Sequence, residues 1–169
     1  MAQAKQAKQE SDSGSEVEAV VLMATIYNFS SNGDAETWYL DIGCSNHMTC
    51  NLNWLVNLDN NRRCTIKFAD NSTVKSMGVG NVAFRMSDRS VAIIEEVMYV
   101  PDMRCNLMSL GQLLEKGLYA SLKNKFLDLL DPGNVRVFKV PLSKNRTFQV
   151  NMNNAYVQCL ASTANEDES

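Results

Sequence analysis

Residues 38–49 decide the fold of this chain, and they read WYLDIGCSNHMT. An apolar strand delivers one carboxylate, that of Asp41, into an Asp-x-Gly turn that is followed by small polar residues. A carboxylate at the end of a hydrophobic strand is costly unless it is paired or hydrogen-bonded. Gly43 has no Cβ and lets the chain turn tightly after that carboxylate. The stretch therefore predicts that Asp41 lies at the bottom of a cleft as a candidate catalytic residue.

Length and composition predict one folded domain with loose ends. The chain has 169 residues, of which 45% are hydrophobic and 21% are charged, as is ordinary for a soluble globular domain. Residues 1–16 contain almost nothing to bury, so ordering them would not offset the loss of chain entropy. We predict disordered tails at 1–16 and 157–169, and a folded domain at 17–156.

Charge and hydropathy argue against several classes of partner. A net charge of −3 is not that of a protein that follows a phosphate backbone, so no direct nucleic-acid partner is expected. No run approaches 18 apolar residues, and the amino-terminal stretch lacks the apolar centre of a signal peptide, so we expect no membrane partner and a cytoplasmic location. Five scattered cysteines fit reduced thiols better than a disulfide framework.

The apolar runs are short and rich in β-branched residues, which predicts an all-β domain. The predicted strands are 20–23, 38–40, 65–68, 79–86, 91–100, 127–130 and 135–140. Small or turn-favouring residues separate the strands at 31–34, 69–72, 87–90 and 131–134, which predicts hairpin connections. Trp38 and Trp54 are predicted to anchor the core.

One segment, residues 106–117, has the spacing of a helix. Leu107, Leu110, Leu113 and Leu114 would share one helical face. Asn106 would cap the start of this short helix, and Gly117 would mark its end.

The order and spacing of several motifs resemble the protease region of copia-type LTR retrotransposon Gag-Pol polyproteins, in particular the plant elements of the tobacco Tnt type. The motifs are WYLD at 38–41, GCSNHM at 43–48, FADNS at 68–72, MGVG at 77–80, VMYVP at 97–101 and NLMSLGQL at 106–113. The resemblance covers most of the chain.

This resemblance implies a retropepsin-like closed β-barrel that acts as a homodimeric aspartic endopeptidase, with extra strands at 118–150. It implies that each subunit contributes Asp41 as the catalytic residue, that the substrate is a Gag-Pol-type polypeptide, and that no metal or cofactor takes part. In an intact element the location would be a cytoplasmic virus-like particle. The implied active-site loop also contains Ile42, Gly43, Cys44 and Ser45, and the implied substrate-covering flap contains Phe68, Ala69, Asp70 and Asn71. Residues 97–114 would brace the active-site loop.

Two positions depart from the family pattern. Ile42 stands where the family usually has Thr or Ser, whose hydroxyl forms a hydrogen bond with the partner half-site. Cys50 stands where the family commonly has Gly. The family polyprotein would also continue into an integrase zinc domain, so the chain resembles a fragment of an element. The alternative function is a catalytically inactive β-barrel that serves as a structural or interaction module or is an element remnant.

Two local patterns have more than one interpretation. Cys44, His47, Cys50 and Cys64 invite comparison with a tetrahedral zinc site, although their spacing is not a usual one. The other interpretation is that Cys44 packs as a small apolar residue and His47 makes a local hydrogen bond. Asp70 either contacts substrate or belongs to ordinary hairpin-turn chemistry.

Overall fold

Strands make up most of the described chain. The computed structural model describes residues 19–21, 36–85 and 89–152. The predicted tails at 1–16 and 157–169 and the predicted turn at 31–34 lie outside these residues, as does part of the predicted turn at 87–90. No helix of the described part is long and apolar enough to cross a membrane.

The strands and the helix follow one another in this order. The strands are β1 (Ala19–Val21), β2 (Thr37–Asp41), β3 (Met48–Thr49), β4 (Leu55–Asp59), β5 (Cys64–Phe68), β6 (Thr73–Ser76), β7 (Gly78–Arg85), β8 (Val91–Tyr99), β9 (Asn106–Ser109), β10 (Tyr119–Lys123), β11 (Phe126–Leu130), β12 (Arg136–Pro141) and β13 (Phe148–Asn151). Helix α1 (Leu110–Glu115) follows β9, and a 3-10 turn spans Leu52–Trp54. The described part is thus mostly β with one short helix, as the sequence predicts.

The strands form a seven-stranded sheet and two three-stranded sheets. The large sheet has the order β13-β2-β9-β3-β8-β7-β4, and the small sheets have the orders β1-β5-β6 and β10-β11-β12. In the large sheet β9 lies between β2, to which it is parallel, and β3, to which it is antiparallel. The order is open, with β13 and β4 at its two ends, so the closed barrel that the resemblance implies stays a prediction.

The helix predicted at 106–117 is wrong in its first turn. Residues 106–109 form strand β9, because they find a partner strand on each side, with Trp38 paired to Asn106 and Met48 to Leu107. The helix begins at Leu110, and its cap is Ser109, whose Oγ accepts a hydrogen bond from the main-chain N of Gln112 at 3.1 Å. The Ser-x-x-Gln spacing at 109–112 is a capping-box pattern that marks this start in the sequence.

The end of the helix agrees with the prediction. Gly117 has a φ of +89° and its N–H donates to the carbonyl of Leu114 at 2.9 Å. A left-handed residue after the last turn is the usual glycine termination of a helix. The predicted apolar face is shorter than expected, since Leu110 and Leu113 are buried but Leu114 is 45% exposed.

Two apolar clusters hold the sheets together. The first cluster is centred on Trp38 and Trp54, which are fully buried and meet edge to face with ring centroids 6.0 Å apart, so the prediction that they anchor the core is confirmed. It also contains Val82, Phe84, Ile94, Val97, Met108, Leu110, Leu113, Leu127, Leu129 and Met152. The second cluster contains Cys44, Met48, Ile66, Val79, Met98 and Val100.

Candidate functional site

Asp41 is the last residue of β2, and the chain turns immediately after it. Its main chain is paired with Ser109 of β9, and its Oδ1 accepts a hydrogen bond from the N–H of Gly43 at 2.6 Å. The sheet fixes the position of the main chain, and the Gly43 amide fixes the orientation of the carboxylate. The carboxylate is therefore held in a defined, partly buried position. Its hydrogen bond to the Gly43 N–H offsets part of the free energy that is lost when a charged group ends an apolar strand.

The loop that follows Asp41 is held from the other side by Ser109. The Oγ of Ser109 donates to the carbonyl of Cys44 at 2.7 Å, and the N–H of Ser109 donates to Nδ1 of His47 at 3.0 Å. Ser109 and His47 are both buried. Because Ser109 is also the helix cap, the loop and the start of α1 form one hydrogen-bonded unit.

Gln112 extends this unit to β8. Its Oε1 accepts a hydrogen bond from the main-chain N–H of His47 at 2.8 Å, and its Nε2 donates to the carbonyl of Glu96 at 3.3 Å. Gln112 is 8% exposed, so these bonds lie largely away from water and satisfy groups that would be costly to leave unpaired. The resemblance implies a brace within residues 97–114, and Ser109 and Gln112 are two residues of that range whose side chains reach the loop.

A second pair of buried polar residues ties the end of the loop to the start of β9. The hydroxyl of Thr49 donates to Oδ1 of Asn106 at 2.6 Å, and Nδ2 of Asn106 donates to the carbonyl of Thr37 at 3.1 Å. The sequence predicts Asn106 as a helix cap and indicates no role for Thr49. The sequence gives little indication of this hydrogen bond, because a polar residue next to an apolar run is also typical of a helix cap or a turn.

The remaining loop residues lie at the surface or in the second apolar cluster. Ile42, the residue after Asp41 in the chain, is 78% exposed. Ser45 is exposed and its Oγ donates to Oδ1 of Asn46 at 2.9 Å. The Cys44 side chain is 2% exposed, and burial, with a smaller contribution from the Asp41 charge, raises its pKa to about 12. At neutral pH Cys44 is thus a thiol that packs, and not a thiolate nucleophile.

The side chains considered for zinc are not brought together. His47 uses Nδ1 to accept the Ser109 N–H, and the Sγ of Cys64 lies 3.7 Å from Sδ of Met98. Within residues 36–85 and 89–152, no three His, Cys, Asp or Glu side chains are placed to hold a metal ion. Burial lowers the pKa of His47 to about 4, aided by the charge of Lys116, so its ring is neutral at pH 7.

The predicted flap is the hairpin of β5 and β6, with an exposed tip at Ala69, Asp70 and Asn71. Its tip has the chemistry of a turn, since Oδ1 of Asp70 accepts from the N–H and from the Oγ of Ser72, at 2.9 and 2.6 Å. Asn71 has a φ of +66°. Phe68 packs against the second apolar cluster, which also contains Cys44. The hairpin and the Asp41 loop therefore share one apolar support.

The chemistry available in this loop is that of one oriented carboxylate. A single carboxylate either accepts or donates a proton at a given moment, so it supplies half of the acid-base pair needed to hydrolyse a peptide bond. The exposed side chain of Ile42 is apolar surface that association with another polypeptide would bury.

Residues 38–118, just under half of the chain, match the family model of the Pol polyprotein, beta-barrel domain. The matched part begins within β2 and ends just after α1, so it contains the Asp41 loop, the β5–β6 hairpin and the Ser109 brace. This match supports the origin of the region in the Pol polyprotein of a retrotransposon or retrovirus. No curated protein and no solved structure matches the chain.

Proposed function

We propose that this chain is the protease region of a copia-type Pol polyprotein, an aspartic endopeptidase that acts as a homodimer with one Asp41 from each subunit. The observation that carries the proposal is the geometry at Asp41, where the Gly43 N–H orients the carboxylate and the Ser109 brace immobilises the loop behind it. A carboxylate held in this way keeps its geometry when a substrate binds, which is what positioning catalysis requires.

In the proposed dimer, two Asp41 carboxyl groups face each other across a two-fold axis and share one proton. Two carboxylates at close range repel each other, so one carboxyl group keeps the proton while its partner is ionised. The ionised carboxylate removes a proton from water, the resulting hydroxide attacks the scissile carbonyl carbon, and the protonated carboxyl group donates its proton to the carbonyl oxygen. Proton transfer to the amide nitrogen then allows the C–N bond to break.

The proposed substrate is a Gag-Pol-type polypeptide, bound between the Asp41 loops and the tips of the β5–β6 hairpins at residues 69–71. The exposed hairpin tip and its support on the same apolar cluster as Cys44 favour this arrangement. The mechanism needs neither a metal nor a cofactor. We place the activity in the cytoplasm, within the particle of an intact element, with no direct nucleic-acid or membrane partner.

Ile42 favours a second candidate, an inactive β module that serves as an interaction or structural domain. In Asp-Thr-Gly or Asp-Ser-Gly loops the middle hydroxyl forms a hydrogen bond across the dimer, and Ile42 has no such group. The side chain is 78% exposed, so the described part of the chain leaves it largely in contact with solvent. A loop with an exposed isoleucine at this position can pack against another polypeptide, but it lacks the hydroxyl that would align the two Asp41 carboxylates.

The experiment is cleavage of a Gag-Pol fragment from a copia-type element by the purified chain, at high protein concentration and pH 5.5 to 6.5. Asp41→Asn is the decisive variant, and Asp102→Asn is the matched control, because Asp102 is an exposed carboxylate in a loop outside the site. Cleavage by the natural chain and by Asp102→Asn, but not by Asp41→Asn, would support the protease. A dimeric chain with no activity in any of the three would favour the inactive module.

A further inference from the structure

A cavity of about 300 Å³ lies between the large sheet and the β10-β11-β12 sheet, and its lining does not include Asp41. Its walls are mainly apolar and include Phe84 and Ala92 from the large sheet and Leu129 and Phe138 from the small one. Ile93, which also lines it, is 60% exposed, and Val135 is 57% exposed, so these side chains mark its mouth. A volume near 300 Å³ is at the lower end of the range for small-molecule sites.

One buried polar side chain, that of His47, lines this cavity, and its Nε2–H group is a possible hydrogen-bond donor. His47 is 2% exposed. Its N–H donates to Gln112, its carbonyl accepts from the N–H of Met98 at 2.9 Å, and its Nδ1 accepts from Ser109. Because Nδ1 accepts an amide proton, the neutral ring carries its own proton on Nε2. None of the hydrogen bonds that His47 makes in the described part of the chain uses Nε2. The Nε2–H group can therefore donate a hydrogen bond to a molecule in the cavity.

The charges around the mouth argue against an anionic occupant. Lys116 pairs with Glu95 at 3.0 Å, which neutralises both. The Asp131 carboxylate also lines the cavity, so the charge there is negative overall. A second carboxylate brought to this place would meet a like charge, whereas a neutral acceptor would not. The chemistry selects an apolar molecule that carries one uncharged hydrogen-bond acceptor.

We propose that this cavity is a binding site for a small, neutral, largely apolar ligand whose carbonyl-type oxygen accepts a hydrogen bond from Nε2 of His47. The site does not include Asp41, so it neither requires nor excludes peptidase activity. An apolar wall with one oriented donor is the usual composition of a small-molecule site. The ligand would accept a hydrogen bond from Nε2, a group that none of the His47 hydrogen bonds described above uses.

The test uses benzophenone, which is apolar and has one carbonyl oxygen, and 1,1-diphenylethylene, which has nearly the same shape but no acceptor. A purely apolar cavity would prefer the hydrocarbon, because burial of a carbonyl without a hydrogen bond is costly. We expect benzophenone to bind about 3- to 10-fold more tightly, the ratio that one neutral hydrogen bond gives. The measurement is an NMR titration of the full chain, with the Nε2–H proton of His47 shifting on addition of the ketone.

Three variants separate the site from general effects on folding. His47→Asn keeps an oxygen near the place of Nδ1 for the Ser109 N–H but removes the Nε2 donor, so we expect it to abolish the preference for the ketone. Ala92→Leu fills the cavity without touching a hydrogen bond and should block both compounds. Ala120→Leu, at an exposed position on β10, should bind both as the natural chain does. Equal affinities for the two compounds, or shifts outside the cavity walls, would overturn the proposal.

Discussion

The main-chain N–H of Ser109 donates to Nδ1 of His47 at 3.0 Å, which joins the cap of α1 to the loop that begins at Asp41. The two residues are 62 positions apart in the chain, and both are buried. Ser109 also pairs with Asp41 across β2 and β9. One residue therefore supports the Asp41 loop at both of its ends, so changes in this contact are expected to affect stability and the candidate site together.

Acidification is expected to destabilise the protein through His47. Its pKa is about 4 in the folded chain and near 6.5 when exposed, so below pH 6.5 the unfolded chain takes up a proton that the folded chain does not. This penalty is absent above pH 6.5 and grows as the pH falls towards 4, reaching about 2 kcal/mol at pH 5. The difference between the free energies of unfolding in urea at pH 7.5 and at pH 5.0 measures this penalty.

The matched variant for this prediction is His47→Asn. His47 is the chain's only histidine, so the difference in pH dependence between the two proteins isolates its titration. We expect the variant to be less stable than the natural chain at pH 7.5 and to lose less stability on acidification. Parallel pH profiles would show that His47 is protonated as easily in the folded chain as in the unfolded chain.

Thr49→Val is expected to destabilise the protein by about 1–3 kcal/mol, because the buried Oδ1 of Asn106 loses the Thr49 hydroxyl as a donor and the N–H of Asn51 loses it as an acceptor. Valine has nearly the same shape as threonine, so little packing changes. Thr73→Val, at an exposed position on β6, is the control and should change stability by less than about 0.5 kcal/mol. Thermal or urea unfolding of both variants provides the comparison, and similar values for the two would contradict the role given to the Thr49 hydroxyl.

Gly78→Ala and Gly111→Ala are expected to act in opposite directions. A Cβ at Gly78 would lie 2.9 Å from the carbonyl O of Asp59, at the irregular pairing of β4 with β7, so alanine there should cost about 1–3 kcal/mol. A Cβ at Gly111 meets nothing closer than 3.8 Å, and alanine favours the helix by up to about 1 kcal/mol. The test compares the free energies of unfolding of the two variants with that of the natural chain. An unchanged value for Gly78→Ala would contradict the prediction, because it would mean that β4 moves away to make room for the Cβ.

Ile42→Thr is expected to raise kcat/KM if the natural chain cleaves weakly. A restored hydroxyl adds one hydrogen bond per subunit across the proposed dimer, which corresponds to about 10- to 100-fold in rate. Ile42→Val is the matched control, because valine has the shape of threonine without the hydroxyl. Equal rates for the two variants, at protein concentrations where both are dimeric, would remove Ile42 as the cause of weak activity.

The local structure around Asp41 was open to prediction because its signals lie within a few residues. The position of Asp41 at a strand end and the turn at Gly43 depend on neighbours within a few residues, and the structure places both as expected. The turn chemistry of Asp70 is equally local, since its acceptor groups serve Ser72 two residues away. The exposure of Ile42 and the burial of His47 were not predictable, because each depends on which distant strands lie against the loop.

Residues 106–109 show where local information ends. Leu107 has helical spacing to Leu110 and Leu113, yet residues 106–109 form β9. The reason is that β2 and β3 offer main-chain hydrogen bonds on both sides, and a helix here would leave those two strands without a partner between them. Short or polar strands such as β3, β4 and β6 were missed for the same reason, since their stability comes from pairing and not from their own propensity.

The sequence by itself determined the β class, the carboxylate at the end of β2, the turns and the tryptophans of the core, because hydrophobic period and turn chemistry act between near neighbours. Only the tertiary structure decided that Ser109, Gln112 and His47 meet around the Asp41 loop and that His47 lines a cavity. Those contacts join residues more than 60 positions apart, and hydrogen bonds over such a separation form only after the sheets have brought the strands together.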